Sequence, residues 1–408
     1  LPNDRTLARE IQGEIEKTAG EKIAVSVRDG IAALRGRLPS HQAALDAGYL
    51  AASSDKTREV VNDIVFPGKM RFKIPRKVSE ELTGKEFDVV VVGGGVIGLA
   101  VARELSQFNL SIALFERHND VGMDQTTHSN AMIHPAIQAK HGTLRWEMNY
   151  KGNPMWDEVA RQLDVDFKRV GTLIVAENAG EEALLPYAVD AATKHNDPEP
   201  RVLDRDGLDS LEPGLAPNVR KGVLIWNTGI INVFELLIAC AENALSNGVS
   251  IFLNTSVTGV QTENSCVKAI DTTRGTVKAG TLINAAGLYA DRIAEYAGDR
   301  FYAIHPRKGE TIIFDKSYQP VHTIFAPVSI AAETKETKYT KGGGIIPTTD
   351  GNVQFGPTAI EVSDREDVST TAEGCDALFD KFAPVLERLK PGYEKPDKGK
   401  IIARFAGC

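Results

Sequence analysis

Phe-Asp-Val-Val-Val-Val-Gly-Gly-Gly-Val-Ile-Gly, residues 87–98, is followed by a helical run and then by Ser-Ile-Ala-Leu-Phe-Glu-Arg at 111–117. Four consecutive valines, Val89 to Val92, make the continuous apolar run of a buried parallel strand. Gly93, Gly95 and Gly98 fall at the three glycine positions of a dinucleotide-binding fingerprint. The first permits a tight turn, the second lets backbone approach a pyrophosphate, and the third lets helix and strand pack closely. Ile97, Val101 and Leu105 are spaced to give the helix an apolar stripe toward the sheet. A second strand over Ile112 to Phe115 ends at Glu116, where a carboxylate can hold a ribose hydroxyl. Strand, glycine turn, helix, strand and acid therefore stand in register for a Rossmann-like unit.

Around this unit the chain is long enough, at 408 residues, for two or three domains. Its 42% hydrophobic and 25% charged content is that of a soluble globular protein. A net charge of −8 argues against a nucleic-acid partner, because no basic excess is present to neutralise phosphates. No apolar run reaches the roughly 20 residues needed to span a bilayer, and the first residues lack the apolar core of a signal peptide. The absence of an initiator Met suggests trimming at the front. Cys240, Cys266, Cys375 and Cys408 are scattered without a C-x-x-C pair, so no zinc or iron–sulfur site is expected and each thiol is expected free. These features together fit a cytoplasmic protein.

Upstream, residues 1–75 read as a small α/β module, with 76–86 a linker. Leu7, Ile11 and Ile15 repeat at helical spacing over Thr6 to Thr18. Alternating Ile23, Val25 and Val27 run into Asp29-Gly30, a hairpin signal, and Ile31 to Leu34 continue beyond it. Ser40 is placed to cap a second helix reaching Ala52, and Val60 to Val65 suggests a closing strand. "VSVRDGIAALRGRLPS" and "REVVNDIVF", with these helices, resemble the BON domain, a small bacterial module of which some members associate with phospholipid surfaces. A packing or oligomerisation appendage is the alternative.

Downstream of Glu116, "DQTTHSNAMIH" is too rich in Thr, Ser and Asn to be a strong helix. It follows the second strand at the carboxyl edge of the sheet, where open α/β folds bind ligands, and its hydroxyls and amides suit a cofactor lining. Thr143 to Leu163 is helical, with Trp146, Tyr150 and Trp156 expected on its packing face and Asn153-Pro154 a break. "GTLIVA" (171–176) is a strand. "KGVLIWNTGIINVFELLIACAENALSNG" gives a strand, a turn at Gly229, and a helix with Asn232 and Glu235 as a capping box. Val257 to Gln261, Val267 to Asp271 and Gly275 to Lys278 form a meander, followed by a separate strand, Thr281 to Ala286. That strand ends in Ala-Ala-Gly, small enough for a bound cofactor to pass close by.

Taken together, "VVVVGGGVIGLAVARELS", "GTLIVA", "INAAGLYADRIAEYAG", "HPRKGETIIFDK" and "GGGIIPTTDGNVQFGPTA" resemble the FAD-dependent oxidoreductases related to D-amino-acid oxidase. Within these the likeness is greatest to the catalytic subunit of anaerobic-type glycerol-3-phosphate dehydrogenases, and next to L-2-hydroxyglutarate dehydrogenases. The resemblance implies FAD, with Gly93, Gly95 and Gly98 at the pyrophosphate and Glu116 and Arg117 at the ribose end. It implies Thr126, Thr127, Ser129 and Asn130 along the flavin, Val257 near adenine, and Ala286 and Gly287 as a second close contact. His134 matches a histidine of the family's flavin-side loop and is either a proton-accepting base or a packing residue. Arg307 and Lys308 are candidates to hold a substrate phosphate or carboxylate, with solvation as the alternative, and Arg404 is a further anion contact. After His134, Pro-Ala-Ile-Gln stands where relatives have a glycine-rich segment, which weighs against phosphate recognition by this loop. The chain stops at Cys408, inside a Phe-Ala-Gly-x-Arg pattern, so a C-terminal segment covering the flavin is expected to be missing.

The resulting expectation is an α/β fold: a Rossmann-like FAD-binding domain (87–145 and 232–299) with an inserted α+β substrate domain (146–231 and 300–400), preceded by the BON-like module. The expected activity is oxidation of glycerol 3-phosphate to dihydroxyacetone phosphate by hydride transfer to the flavin. Electrons would pass to a partner subunit or quinone, with peripheral membrane contact a further expectation. A 2-hydroxy acid or amine oxidoreductase, or a non-catalytic flavin-holding docking subunit, are the alternatives, because fold analogy alone does not separate them.

Overall fold

In the computed structural model, which describes residues 2–69, 72–194, 200–328 and 343–408, the four valines are the buried centre of a six-stranded sheet. They lie in β4, whose neighbours are best placed after the elements that precede it. The chain opens with α1 (Pro2–Ala19), β1 (Ala24–Arg28), β2 (Ile31–Arg35), α2 (His41–Ala52) and β3 (Glu59–Asn62), followed by β4 (Glu86–Val92), α3 (Val96–Leu105) and β5 (Ile112–Phe115). The described residues divide into two compact units. The first takes in residues up to 121, 244–306 and 361–366, and the second 122–243, 307–360 and 367–408. Residues 122–145, expected with the nucleotide-binding half, belong to the second.

Within the first unit, β1 and β2 form an antiparallel hairpin and β3 pairs parallel with β2. Asp29 and Gly30 turn the hairpin with φ of 52° and 78°, the paired left-handed conformations of a two-residue loop. Leu7, Ile11 and Ile15 of α1 are buried against Leu34, Ala47 and Ile64. The Ser40 hydroxyl accepts from the Ala43 N–H and caps α2 as its sequence requires. The linker ends anchored on the body: Val78 and Leu82 donate backbone hydrogen bonds to Thr273 and Arg274, and Leu82 is fully buried.

The sheet runs Ser250–Phe252, β5, β4, Gly275–Asn284, Cys266–Thr272, Val257–Glu263, parallel across its first four strands and antiparallel beyond. Gly275–Asn284 is one ten-residue strand, not the two expected. It pairs antiparallel with the meander up to Lys278, and parallel with β4 from Lys278 to Asn284. The stripe of α3 also differs from expectation. Gly98, Leu99 and Ala102 are buried, whereas Ile97 is 68% exposed. A Cβ on Gly98 would lie 1.9 Å from the Gly93 carbonyl oxygen, so the helix meets the sheet on its smallest face.

The second unit is built on a nine-stranded sheet. From an edge strand at Ile360 its path runs Arg307–Phe314, Val353–Gly356, Gly344–Pro347, Ile324–Pro327, Thr172–Ala176, Lys221–Ile225, Arg201–Leu203, with Ile401–Gly407 antiparallel to Arg307–Phe314. The helix Ala372–Leu389 buries Leu378, Phe382 and Leu386 against Phe314 and Phe355 of this sheet. Gly229, expected as a turn, opens the short strand Gly229–Ile231 between Met132–Ile133 and Phe167–Arg169. None of the four cysteines is in a disulfide. No helix among the described residues is long and apolar enough to cross a membrane.

Candidate functional site

The candidate residues fall into one group in each unit. In the first, β4 ends at Gly93, whose φ of +108° is open to glycine and whose N–H donates to the Phe115 carbonyl. A Cβ there would sit 2.4 Å from the Ala285 oxygen, so the Ala285-Ala286-Gly287 strand end runs directly against the glycine turn. Gly95 is the N-cap of α3, extended and contributing no side-chain cap, so the positive end of the helix dipole lies at the glycine turn. This is the arrangement that favours a phosphate anion.

Glu116 is 6% exposed at the end of β5. Its Oε2 accepts the Gly94 N–H at 2.7 Å and its Oε1 the His118 N–H at 2.8 Å, so the carboxylate is fixed beside the glycine turn. Arg117 pairs with Glu366 at 2.6 Å and lies over the Tyr289 ring at 4.6 Å. Val257 is buried at the start of its strand. Gly287 has φ of +51° and open space around its Cβ position, so its glycine serves backbone conformation rather than clearance. A glycine cradle, a helix N-terminus and a fixed carboxylate fit the diphosphate and ribose of a dinucleotide cofactor.

In the second unit, the Thr126–Asn130 loop is laced by its own side chains. The Thr127 hydroxyl donates to the Gly122 carbonyl and the Ser129 hydroxyl to the Thr126 carbonyl. Asn130 Oδ1 accepts from Met132 N–H, and its carbonyl accepts from Gln354 Nε2 at 2.9 Å. Gly407 packs on this loop: a Cβ there would meet the His128 oxygen at 2.5 Å. Thr127 and Ser129 thus hold a defined backbone rather than presenting two loose hydroxyls. His134 follows the loop, and its carbonyl accepts from Asn153 Nδ2 at 2.8 Å. The same Nδ2 reaches the Asn227 carbonyl, and Arg169 bonds Asn153, Asn227 and Asp157. Asn153, read from sequence only as a helix break, is a buried strut behind His134.

Arg307 and Lys308 do not act as a pair. Adjacent strand residues face opposite sides of a sheet, so the two cations cannot converge on one anion. Lys308 is 4% exposed, and its Nζ holds Asp367 at 3.0 Å and Ser369 at 3.1 Å. Glu310, on the same face, accepts the Thr371 N–H at 2.7 Å and its hydroxyl at 3.0 Å, at the N-terminus of Ala372–Leu389 where negative charge is favoured. Lys308 and Glu310 therefore fix the segment entering that helix. The register opposes Arg404 to Ile312, on Lys308's side of the strand. Arg307 is half-buried and faces the other side of the strand.

With this geometry in place, comparison with known proteins settles the family. The FAD dependent oxidoreductase family matches residues 88–408. The chain belongs to that family. FAD is its cofactor, and the residues N-terminal to 88 lie outside the match. A glycerol 3-phosphate dehydrogenase of Caloramator mitchellensis is 36% identical over 294 residues, covering 72% of this chain and 60% of that protein. The chain thus spans less than two thirds of that relative's length. A glycerol 3-phosphate oxidase of Mycoplasma genitalium is 30% identical over 67% of this chain and 72% of its own. Among solved structures, the dithionite-reduced L-alpha-glycerophosphate oxidase of Mycoplasma pneumoniae with FAD bound superposes with a TM-score of 0.67. It is 26% identical over 79% of this chain and 83% of that one.

Proposed function

We propose that this FAD-family oxidoreductase oxidises sn-glycerol 3-phosphate to dihydroxyacetone phosphate and passes the electrons to a partner subunit or quinone. The observation that carries the reading is the 36% identity to a glycerol 3-phosphate dehydrogenase over 294 residues. Gly93, Gly95, Gly98, Glu116, Arg117, Val257, Ala286 and Gly287 are assigned to the diphosphate and adenosine of FAD, and Thr126, Thr127, Ser129 and Asn130 to the flavin side. These residues would hold FAD, which when bound would supply the acceptor for the hydride leaving the carbinol C–H. His134 takes the hydroxyl proton as the C–O bond becomes a carbonyl, on a backbone held by Asn153. Arg307 holds the substrate phosphate through its planar guanidinium. Lys308 is a positioning residue, fixing Asp367 and Ser369. The helix–hairpin–helix–strand order supports reading the N-terminal module as BON-like, and we assign to it any peripheral contact with a membrane surface or acceptor subunit on the cytoplasmic side.

Anaerobic titration of the purified yellow protein tests this. Glycerol 3-phosphate is expected to bleach the flavin band, and L-2-hydroxyglutarate is expected to leave it unchanged. Bleaching by the hydroxy acid alone would move the assignment to 2-hydroxy acids. No bleaching by either at full FAD occupancy would leave a flavin-holding docking subunit. Arg307→Met should raise KM for glycerol 3-phosphate by about tenfold or more, as expected for loss of a charge-assisted pair to phosphate, while moving kcat less. An unchanged KM would remove Arg307 from the phosphate site.

A further inference from the structure

Residues 361–366 form a short strap that belongs to the first unit although the sequence on both sides of it belongs to the second. Its two ends touch different parts of that first unit. At one end, the Tyr49 hydroxyl of α2 donates to Glu361 Oε1 at 2.8 Å, so the strap begins on the N-terminal module. At the other, Glu366 accepts from Arg117 at 2.6 and 3.2 Å and from the Tyr289 hydroxyl. Between them, Arg365 grips the buried Asp291 with both guanidinium nitrogens, at 2.7 and 2.6 Å, and also bonds the Leu288 and Ile304 carbonyls.

These contacts converge on one aromatic ring. Tyr289 lies two residues beyond Gly287 and is flanked by the guanidinium carbons of Arg117, at 4.6 Å, and of Arg365, at 5.4 Å. Phe72, from the segment joining the module to β4, packs on the same ring at 5.6 Å and is itself covered by Arg292 at 5.5 Å. The module is tied down a second time where Arg300 pairs with Asp63, just beyond β3. Arg117 directly follows the fixed Glu116, so whatever orders Glu366 and Tyr289 also orders the end of β5. Burial alone would raise the Glu366 pKa, but its bonds from Arg117 and Tyr289 hold it below the ordinary glutamate value, consistent with a charged clasp.

We propose that the N-terminal module serves FAD retention: through Tyr49 it orders the 361–366 strap, whose Glu366 positions Arg117 and Tyr289 beside the cofactor's adenosine end. This rests on the assignment of Glu116, Arg117 and Gly287 to FAD. Tyr289 and Glu366 act here as positioning residues for Arg117, and the interaction is internal to the chain.

The test is the FAD dissociation constant of the full chain, followed by the fluorescence of released flavin. Glu366→Gln is expected to weaken FAD by about tenfold, since it removes a charge-assisted pair. Tyr49→Phe should weaken it by about threefold by loosening the strap, less than Glu366→Gln because the lost hydrogen bond lies at the end of the strap away from Arg117. Glu361→Gln, which keeps the acceptor for Tyr49, should bind like wild type, whereas Glu361→Ala should match Tyr49→Phe. A purely structural role for Tyr49 would not produce that recovery. The Tyr49→Phe/Glu366→Gln double variant should be no weaker than Glu366→Gln alone, because both act through one strap. Multiplying effects in the double variant, or wild-type affinity in Tyr49→Phe and Glu361→Ala, would overturn the proposal. If Gly98→Ala keeps its flavin, the site assignment itself fails. If Gly98→Ala loses flavin while the strap variants hold it normally, only the strap inference fails.

Discussion

Gly98→Ala should leave the purified protein with less than about a tenth of its FAD. One methyl group suffices because of where it would lie. The added Cβ meets the Gly93 carbonyl oxygen at 1.9 Å, with the Ala285 Cβ at 3.5 Å closing the other direction. Neither neighbour is the free end of a flexible side chain, so relief requires α3 to lift off β4 by more than an ångström. Overpacking of this kind costs about 1–3 kcal/mol where the surroundings can adjust. The functional loss should exceed that, because under the proposed assignment lifting α3 carries its N-terminus away from the diphosphate. Gly95→Val should also lose FAD, by occupying the space where backbone must approach the diphosphate. Gly13→Ala is the control: nothing lies within 4 Å of its Cβ position in α1. The flavin-to-protein absorbance ratio reads the outcome, and tryptophan emission checks that the second unit remains folded, since Trp146, Trp156 and Trp226 all lie there. A flavin content equal to wild type in Gly98→Ala would mean the fingerprint does not hold FAD.

Much of this unit was legible because its signals are local. The valine run, the glycine spacing and the acid at 116 all act within about thirty residues, and the Asp29-Gly30 hairpin within ten. Failures occurred where a distant partner decides the structure. Ile97, Val101 and Leu105 have the correct helical period, yet α3 meets the sheet through Gly98 and Ala102, because close approach favours the absence of side chains over their hydrophobicity. Gly229 reads locally as a turn, but pairing with Ile133 and Arg169 makes it strand. Trp146 and Tyr150 were expected in a packing face. Instead their helix buries no residue, and the two rings stack on each other at 5.3 Å.

At the candidate site, the opposing orientation of Arg307 and Lys308 could have been read from the two-residue period of a strand. The burial of Lys308 could not, since Asp367 and Ser369 lie some sixty residues further along the chain. Asn153 behind His134 was hidden for the same reason: its partners at 134, 169 and 227 meet only through the small three-stranded sheet. Sequence therefore indicates where cofactor chemistry belongs before it indicates which side chains support it.

Lys390→Met is expected to be the most destabilising of the side-chain changes in the second unit, by about 3–5 kcal/mol, the range for stripping a partner from a buried ion pair. Lys390 and Glu212 are both without solvent exposure at their side chains, 2.8 Å apart, and the ammonium also bonds the Pro213 carbonyl. Glu212 further accepts the His322 N–H at 2.7 Å and the N–H and hydroxyl of Thr323 at 2.5 and 2.7 Å. Burial pushes the Glu212 pKa up, but hydrogen bonding and the Lys390 charge outweigh it and hold the group below its ordinary value. A lowered carboxylate pKa contributes stability above the unfolded value, about 4.3, and loses it as pH falls through the folded one. In Lys390→Met the Glu212 pKa should rise, so the buried site can take up a proton. His322, whose Nδ1 lies 3.6 Å from Glu212 and whose own pKa is raised by that contact, can add a positive charge below neutrality. Such a histidine contributes stability that is full below its unfolded value and is lost as pH rises through the folded one. Both effects have the same sign, so the loss measured by urea unfolding of tryptophan emission should be smaller at pH 5.5 than at pH 8.5. Glu212→Gln combined with Lys390→Met should recover about half of the loss at pH 8.5, because the amide keeps an acceptor for Thr323 and removes the stranded charge. Equal losses at both pH values, with no recovery in the double variant, would show that the cost of losing Lys390 comes from its packing rather than its charge.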